Sequence, residues 1–249
     1  MRLTDEVYLV GGGPTLGFGL SADPDCHVYL IDGGDELALL DAGLGDGDAI
    51  DRIVATMVAE GLDPARLGRL ILTHYHADHA GGAAAWRERF GLEVVAPAGA
   101  APALRDGDER AVALDVAKAA GFYRADYWLA PVAVDRTVAE RDAVAVGTLT
   151  LSVFDTPGHC DGHASYLLHG RERRYLFAGD AVFCGGRVVL QNIHDCRVAV
   201  SAKSVAKLAA LEFDALLPGH GPIALSGGRD HVRRAAAAFG KLFVPPGLE

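Results

Sequence analysis

The chain has 249 residues, half of them hydrophobic, so it is long enough to bury a large core as one domain or two small ones. Its formal net charge of -10 argues against the basic surface expected of a nucleic-acid-binding protein. No segment approaches the ~18 consecutive apolar residues of a membrane span, and MRLTDEVYLV lacks the pattern of a signal peptide, so we expect neither a membrane protein nor an exported one.

The N-terminal part of the chain alternates short strands with turns rich in Gly, Pro and Asp. Three segments, EVYLV, HVYLI and ELALLDAG, predict an antiparallel meander. Apolar residues at helical spacing then predict a helix from about Ala49 to Glu60, with Asp48 as its N-cap and Gly61 at its end. Its predicted inward face consists of Ile50, Ile53, Val54, Met57 and Val58. The strand RLILT, a helix from about Asp78 to Phe90 and the strand LEVVAP follow.

Residues 97–131 are predicted to form a helical and aromatic insert. We expect a helix followed by an aromatic-rich turn that contains Phe122, Tyr123, Tyr127 and Trp128. Such a turn can be a lid that walls a substrate pocket, a contact between two copies of the chain in a homodimer, or a satellite core. The sequence leaves these interpretations open, and we favour the lid or the interface.

The C-terminal part repeats the order of strands followed by helices. The strands TLTLSVFDTPG, HASYLLH and RRYLFAGD precede a helix from about Arg197 to Leu211, and DALLPGHG is the last strand. The predicted inward face of that helix contains Val198, Ala202, Val205 and Ala209. A final helix is predicted from Val232, Ala235, Ala236, Phe239, Leu242 and Phe243, and Pro245 stops it. The repeat predicts two similar halves, packed sheet to sheet, in a single domain of residues 1–249.

The densest group of chemically active side chains lies in LILTHYHADHAGG, residues 70–82. It holds three histidines and an aspartate: His74, His76, Asp78 and His79. The first two histidines alternate in an extended segment and therefore point the same way, toward one metal ion. The other two residues lie on the next turn, where two glycines let the backbone come close, and they suit a second ion. Because imidazole is the commonest metal ligand, we interpret the segment as a metal site and not as a solvated loop.

This His-x-His-x-Asp-His arrangement resembles the motif of the metallo-β-lactamase-fold hydrolases. The remaining ligands of that family have matches in the same order, with His159 in TPGHCDGHAS, Asp180 in YLFAGD and His220 in LLPGHG. The resemblance covers nearly the whole chain and implies an α/β fold, a four-layer αββα sandwich. Asp41 matches a family position that supports the site from behind, and a turn-forming aspartate before Gly43 is the alternative interpretation.

The resemblance also implies a dinuclear metal centre with Zn²⁺ as the first choice and Fe or Mn as alternatives. The implied ligands are His74, His76 and His159 for one ion, Asp78, His79 and His220 for the other, and Asp180 between them. In such a centre a hydroxide that bridges the two ions attacks the substrate carbonyl. Asp78 is in addition expected to orient the proton of this nucleophile, which makes it the predicted catalytic residue.

Five further histidines receive other interpretations. His163 is expected to be a structural hydrogen-bonding residue, and His27 to pack within a strand. His169 and His231 are expected to face solvent. His194, in the loop QNIHDCR, has the best prospect of reaching the substrate.

The ligand set separates branches of the family. Asp180 resembles the glyoxalase II, lactonase, sulfatase and RNA-nuclease branches, whereas the best-known β-lactamases carry Cys or Ser there. Only 29 residues follow His220, fewer than the glutathione-binding extension of glyoxalase II needs. Quorum-signal lactonases usually carry Tyr where this chain has Phe183. We therefore predict an ester, thioester or lactone hydrolase, with a phosphodiesterase or nuclease, or a β-lactamase, as alternatives.

The partners follow from the same observations. We expect a small-molecule substrate with an apolar acyl part, walled by residues 122–128, and neither a nucleic acid nor a membrane. The four cysteines are scattered without a Cys-x-x-Cys pair, which favours reduced thiols and a cytoplasmic location.

Overall fold

Two β-sheets packed face to face form the centre of the computed structural model, which describes residues 1–248. The first sheet contains, in chain order, β1 Val7–Gly11, β2 Val28–Asp32, β3 Leu37–Leu40, β4 Leu67–Ile71, β5 Glu93–Pro97 and β6 Arg136–Val138. The first three strands are an antiparallel meander, as predicted. From β3 onward the neighbouring strands are parallel, so the carboxyl ends of β3, β4 and β5 meet at one edge of the sheet.

The second sheet is built from the C-terminal part of the chain. Its strands are β7 Ala143–Val146, β8 Leu149–Asp155, β9 Ala164–His169, β10 Arg174–Gly179 and β11 Ala215–Pro218. They lie in the order β11-β10-β9-β8-β7, antiparallel except for the parallel pair of β10 and β11. The carboxyl ends of β10 and β11 therefore also meet at one edge.

Helices cover the outer faces of both sheets. Their bounds are α1 Ala49–Ala59, α2 Ala77–Ala80, α3 Ala83–Phe90, α4 Ala101–Asp106, α5 Leu114–Ala119, α6 Val198–Ala209 and α7 Gly228–Gly240. The prediction of one helix from about Asp78 to Phe90 is wrong, because Gly81 and Gly82 separate α2 from α3. The Gly82 N–H donates to the Gly43 carbonyl and not to a carbonyl of α2.

Alternating strand residues produce three separate cores. Tyr8 and Val10 of β1 face the helices on the first sheet, whereas Val7 and Leu9 face the second sheet. A third core, which includes Leu176, lies between the second sheet and the helices α6 and α7. The layers are therefore helix, sheet, sheet and helix, and the predicted four-layer αββα sandwich is confirmed.

The ends of α1 and α7 differ in part from the prediction. Gly61 ends α1 with φ +77°, a conformation that favours glycine. Within the described chain, Asp48 makes no side-chain capping bond, because its φ of -96° and ψ of 10° are not the extended conformation of a cap. Val58 is 59% exposed, so the buried face of α1 is narrower than predicted. Leu242 is 95% exposed beyond the end of α7.

The buried face of α6 also differs from the prediction. It consists of Ser201, Ser204, Val205 and Leu208, whereas the predicted Val198 is 47% exposed. Ser204 is buried because its hydroxyl donates to the Pro157 carbonyl at 2.6 Å, in the turn after β8. In the part of the chain that the structure describes, no helix has the length and apolar character needed to cross a membrane.

Candidate metal centre

All seven predicted ligands lie in segments that follow strands. The segment after β4 carries His74 and His76, and its continuation into α2 carries Asp78 and His79. The others are His159 in the turn after β8, Asp180 directly after β10, and His220 two residues after β11. Since these strand ends meet at the same edge of the sandwich, the fold brings all seven side chains into one cluster.

The first group of ligand atoms belongs to three buried histidines. One ring nitrogen from each of His74, His76 and His159 lies within 4.8 Å of the other two. The Nε2 of His159 and the Nδ1 of His76 approach to 2.9 Å. This group matches the set assigned to the first ion from the sequence.

The second group contains Asp78, His79 and His220, whose ligand atoms are also within 4.8 Å of one another. The Nε2 of His220 lies 3.0 Å from Asp78 Oδ2 and 3.3 Å from the Nε2 of His79. Although burial raises it, the charges of His79 and His220 hold the pKa of Asp78 below its ordinary value, so this side chain is a carboxylate.

Asp180 lies between the two groups. Its Oδ1 is 3.4 Å from the Nε2 of His79, and its Oδ2 is 3.6 Å from the Nε2 of both His159 and His220. One carboxylate therefore contacts ligands of both predicted ions. This is the position that a bridging ligand requires.

Hydrogen bonds behind the cluster determine the tautomers of the histidines. Asp41 accepts from the Thr73 N–H at 2.7 Å, from the Thr73 hydroxyl at 2.8 Å and from His79 Nδ1 at 2.8 Å. Since the Thr73 hydroxyl donates to Asp41, its oxygen accepts from the Nδ1–H of His74 at 2.9 Å. His159 donates from Nδ1 to the Val189 carbonyl at 3.3 Å. In their neutral form, as metal ligands, these three rings therefore present a lone pair on Nε2 to the cluster.

Asp41 combines the two interpretations left open by the sequence. It is buried and supports His79 and Thr73 with both carboxylate oxygens. It also has φ +65°, a turn conformation that aspartate tolerates better than most residues. The turn thus aims the carboxylate at the back of the metal-binding segment.

The cluster has the properties of a cation site. His74 Nε2 and Asp180 Oδ1 are buried and, among residues 1–248, have no hydrogen-bond partner. Buried polar atoms without a partner are rare, and a bound cation would satisfy both of these. Burial lowers the pKa of His76 to about 3 and also lowers the pKa of His74, so these two imidazoles are neutral at pH 7, as metal binding requires. Although burial opposes it, nearby negative charges that include Asp180 raise the pKa of His79 and of His220, so these two rings release a proton when a metal ion binds.

Gly219 allows the last ligand turn to approach the rest of the cluster. An ideal Cβ at this position would overlap Asp180 Oδ1 and would lie 2.6 Å from the Cε1 of His79. Any side chain at this position would press on Asp180 and His79, so the residue before His220 has to be glycine.

The remaining histidines have other surroundings. His163 accepts from the Asp180 N–H at 3.0 Å, in agreement with the predicted structural role. His27 is buried, with Nδ1 3.1 Å from the Pro218 carbonyl, and His169 is exposed. The prediction that His231 faces solvent is wrong in part, because its Nδ1 accepts from the Gly185 N–H at 2.9 Å. His194 is exposed and, within the described chain, outside the wall of the cavity that leads to the cluster.

A cavity of about 660 Å³ connects the cluster to the surface. The insert contributes most of its apolar wall: Val112, Leu114, Val116, Ala117 and Phe122. Of the predicted wall of residues 122–128, only Phe122 and Tyr123 line the cavity. The prediction is wrong for Tyr127 and for Trp128, which is 64% exposed, since the wall formed by residues 1–248 includes neither. Gln191 and Asn192 of the loop after β10 line the cavity in place of the neighbouring His194.

Tyr123 is a site residue whose position could not be predicted from the sequence. Its hydroxyl donates to Asp78 Oδ1 at 2.9 Å, and its side chain lines the cavity. Burial and the Asp78 carboxylate raise the pKa of Tyr123, so the phenol stays protonated. The cluster of aromatic residues was the only signal in the sequence, and it did not distinguish Tyr123 from its neighbours.

A comparison of the sequence with the profiles of known protein families agrees with the order and geometry of the ligands. The sequence profile of the metallo-beta-lactamase superfamily matches residues 23–220, which include all seven predicted ligands. The chain belongs to this superfamily.

Three similar proteins illustrate the range of this superfamily. An acyl-coenzyme A thioesterase, MBLAC2, of Gallus gallus is 30% identical over 207 residues, which are 78% of this chain and 72% of that enzyme. A hydroxyacylglutathione hydrolase of Methylobacterium sp. (strain 4-46) is 33% identical over 117 residues, 47% of this chain and 34% of that enzyme. A metallo-beta-lactamase of Cronobacter sakazakii with a HARLDQ motif has a similar fold, with a TM-score of 0.73, 22% identity, and coverage of 97% of this chain and 96% of that one.

These relatives confirm the prediction of a metal-dependent hydrolase in the metallo-β-lactamase superfamily. The match to the hydroxyacylglutathione hydrolase spans only about a third of its length. The likeness to the Cronobacter protein shows the fold alone, because the identity is low.

Proposed function

We propose that this chain is a dinuclear metal-dependent thioesterase that acts on small thioesters with an apolar acyl group. The observation that carries the proposal is the apolar cavity, which ends at His76, Asp78, Asp180 and the other cluster residues. The names of the two relatives above, a thioesterase and a hydroxyacylglutathione hydrolase, support the thioester bond as the site of cleavage.

The ligand chemistry of the cluster supports two divalent ions. We assign His74, His76 and His159 to one ion and Asp78, His79 and His220 to the other, with Asp180 as the shared ligand. Neutral imidazoles and carboxylates suit Zn²⁺ and also tolerate Fe or Mn. When bound, such a pair of ions polarises the scissile carbonyl and lowers the pKa of a water molecule to ~7.

The residues of the chain itself hold and orient the reacting groups. Asp78 lines the cavity as a carboxylate, so it can accept a hydrogen bond from the attacking water and orient its proton. His163 accepts the backbone N–H of Asp180 and so stabilises the turn after β10. The apolar wall from the insert excludes water from the acyl part of the substrate.

The side chains that line the cavity outside the cluster favour an apolar acyl group over a phosphodiester. Among the described residues that line it, none is lysine or arginine, whereas Asp23 and Asp25 add to the carboxylates of the cluster. An anionic phosphodiester would meet no basic partner among these side chains. A neutral acyl group gains apolar contacts along α5 instead.

We predict that activity depends on the fit of the acyl group along α5. The kcat/KM for a panel of acyl thioesters should rise from acetyl to decanoyl and exceed that for S-lactoylglutathione, whose acyl group is small and polar. Replacing Ala117 with a large side chain fills the cavity, so Ala117→Trp should lower kcat/KM for the decanoyl thioester about 10–200-fold and leave the acetyl thioester nearly unchanged.

Trp128→Ala is the matched control, since Trp128 belongs to the same insert but lies outside the described wall of the cavity. We expect KM and kcat of this variant to stay within twofold of wild type, about 0.4 kcal/mol. A wild-type enzyme that prefers S-lactoylglutathione contradicts the proposed substrate class. Equal effects of the two substitutions contradict the assignment of α5 as the acyl wall.

A further inference from the structure

The insert contacts the candidate metal centre through a polar group as well as through its apolar wall. Tyr123 donates its hydroxyl hydrogen to Asp78 Oδ1 at 2.9 Å. The other oxygen of the same carboxylate, Oδ2, lies 3.0 Å from His220 Nε2 and 3.7 Å from His79 Nε2. One oxygen of Asp78 therefore faces the cluster while the insert holds the other.

This division of the two oxygens has a consequence for the geometry of the ligand. The terminal torsion of an aspartate is broad and roughly twofold, so an unsupported carboxylate can rotate. A hydrogen bond from a phenol to one oxygen of an ionised carboxylate is assisted by the charge, and it favours one of these orientations. Here the favoured orientation is the one that directs Oδ2 toward His79 and His220.

The phenol itself is held in place by the rest of the insert. The Tyr123 ring stacks on the Tyr127 ring with centroids 6.1 Å apart and an interplanar angle of 28°. Tyr127 is buried and donates its hydroxyl to the Leu44 carbonyl at 3.0 Å. An ideal Cβ at Gly81 would overlap the Tyr127 hydroxyl, so the absence of a side chain at Gly81 makes room for this contact.

We propose that Tyr123 is a positioning residue that orients Asp78 for the second metal ion and so couples the insert to that ion. This inference rests on the proposed dinuclear function and adds a residue to it. Asp41 supports His79 from behind in the same way, at 2.8 Å. Two ligands of the second group would then have a fixed orientation. Asp41, which follows β3 of the first sheet, fixes His79, and Tyr123 of the insert fixes Asp78.

The test compares Tyr123→Phe with Tyr127→Phe in the full chain. Each variant removes one hydroxyl from the same pair of stacked rings, but only the first removes a bond to a ligand. Metal-free protein is titrated with Zn²⁺ against a chromophoric chelator, and the Co²⁺-loaded proteins are compared by their visible d–d absorption. We expect Tyr123→Phe to bind the second ion about 10–100-fold more weakly and the first within twofold.

Two further readouts belong to the expected result. The d–d spectrum of Tyr123→Phe should change at the second equivalent of Co²⁺, and kcat should recover at saturating Zn²⁺ with KM unchanged. Tyr127→Phe keeps the stacked ring that supports Tyr123 and should bind both ions as wild type does. Wild-type affinity and spectrum in Tyr123→Phe would overturn the inference, and so would equal losses in both variants. In either case, a wild-type protein that binds two ions and hydrolyses thioesters would still support the proposed function. A wild type that binds only one ion contradicts both.

Discussion

The Asp180→Asn variant is expected to lose both ions and most of its activity. Asp180 contacts ligands of both groups, with Oδ1 3.4 Å from His79 Nε2 and Oδ2 3.6 Å from His159 Nε2. Asparagine keeps the shape of the side chain but replaces one oxygen with an NH₂ donor and removes the charge. Loss of several kcal/mol of transition-state stabilisation should lower kcat/KM roughly 10³-fold. Elemental analysis after Zn²⁺ reconstitution and steady-state kinetics measure the two effects.

His163→Ala is the comparison for this variant. It removes the acceptor of the Asp180 N–H at 3.0 Å but leaves every proposed ligand in place. A buried donor without a partner costs about 1–3 kcal/mol, so the free energy of unfolding should fall by that amount. We expect the metal content of this variant to remain that of wild type. An Asp180→Asn protein with full metal content and wild-type kcat/KM would show that Asp180 does not link the two groups.

Gly219→Ala should also damage the centre, although it removes no ligand. Its new Cβ would overlap Asp180 Oδ1 and approach the Cε1 of His79 to 2.6 Å. One of these groups must move, and a displacement of ~1 Å in a reacting site can cost ~10²-fold in rate. We therefore expect kcat/KM for the decanoyl thioester to fall by about that factor.

Gly240→Ala provides a control with the same chemical change. The ideal Cβ at Gly240, the last residue of α7, has no described heavy atom within 4 Å. We expect its kcat/KM and metal content to equal those of wild type. Gly219→Ala protein with unchanged kinetics would mean that the turn before His220 is free to move, contrary to the close approach described above.

Four ligands of the cluster could be predicted because they share one short segment after an apolar strand. The resemblance to a known family identified His159, Asp180 and His220 and added the grouping of the ligands. Strand ends are visible in the sequence, and parallel neighbours such as β10 and β11 bring those ends together. Asp41 was harder to interpret, since a turn-forming aspartate and a supporting aspartate look the same in sequence, and here one residue is both.

The buried face of α6 could not be found from hydrophobic periodicity. Ser204 faces inward because its hydroxyl bonds to the Pro157 carbonyl, and Ser201 is buried beside it. Hydrophobicity alone treats both serines as surface residues, so the prediction rotated the helix toward Val198. Short strands such as β6, with three residues, also carry too little alternation to be recognised.

The insert was the part of the site least accessible to sequence analysis. Tyr123, Tyr127 and Trp128 are all aromatic residues of the same short segment. Nevertheless, Tyr123 contacts the predicted ligand Asp78, Tyr127 is buried and Trp128 is exposed. Their different positions depend on long-range contacts with Asp78 and Leu44, which no local pattern encodes. The finding that the insert lines the cavity therefore comes from the structure and not from the aromatic composition.

The measurement that tests the central claim most directly is the number of ions that the wild-type chain binds. Metal-free protein is titrated with Zn²⁺, and bound metal is counted by native mass spectrometry while decanoyl thioester hydrolysis is followed on the same samples. We expect saturation at two ions per chain, with activity rising as the second ion binds. Saturation at one ion or none, or full activity before the second ion binds, would contradict the dinuclear thioesterase.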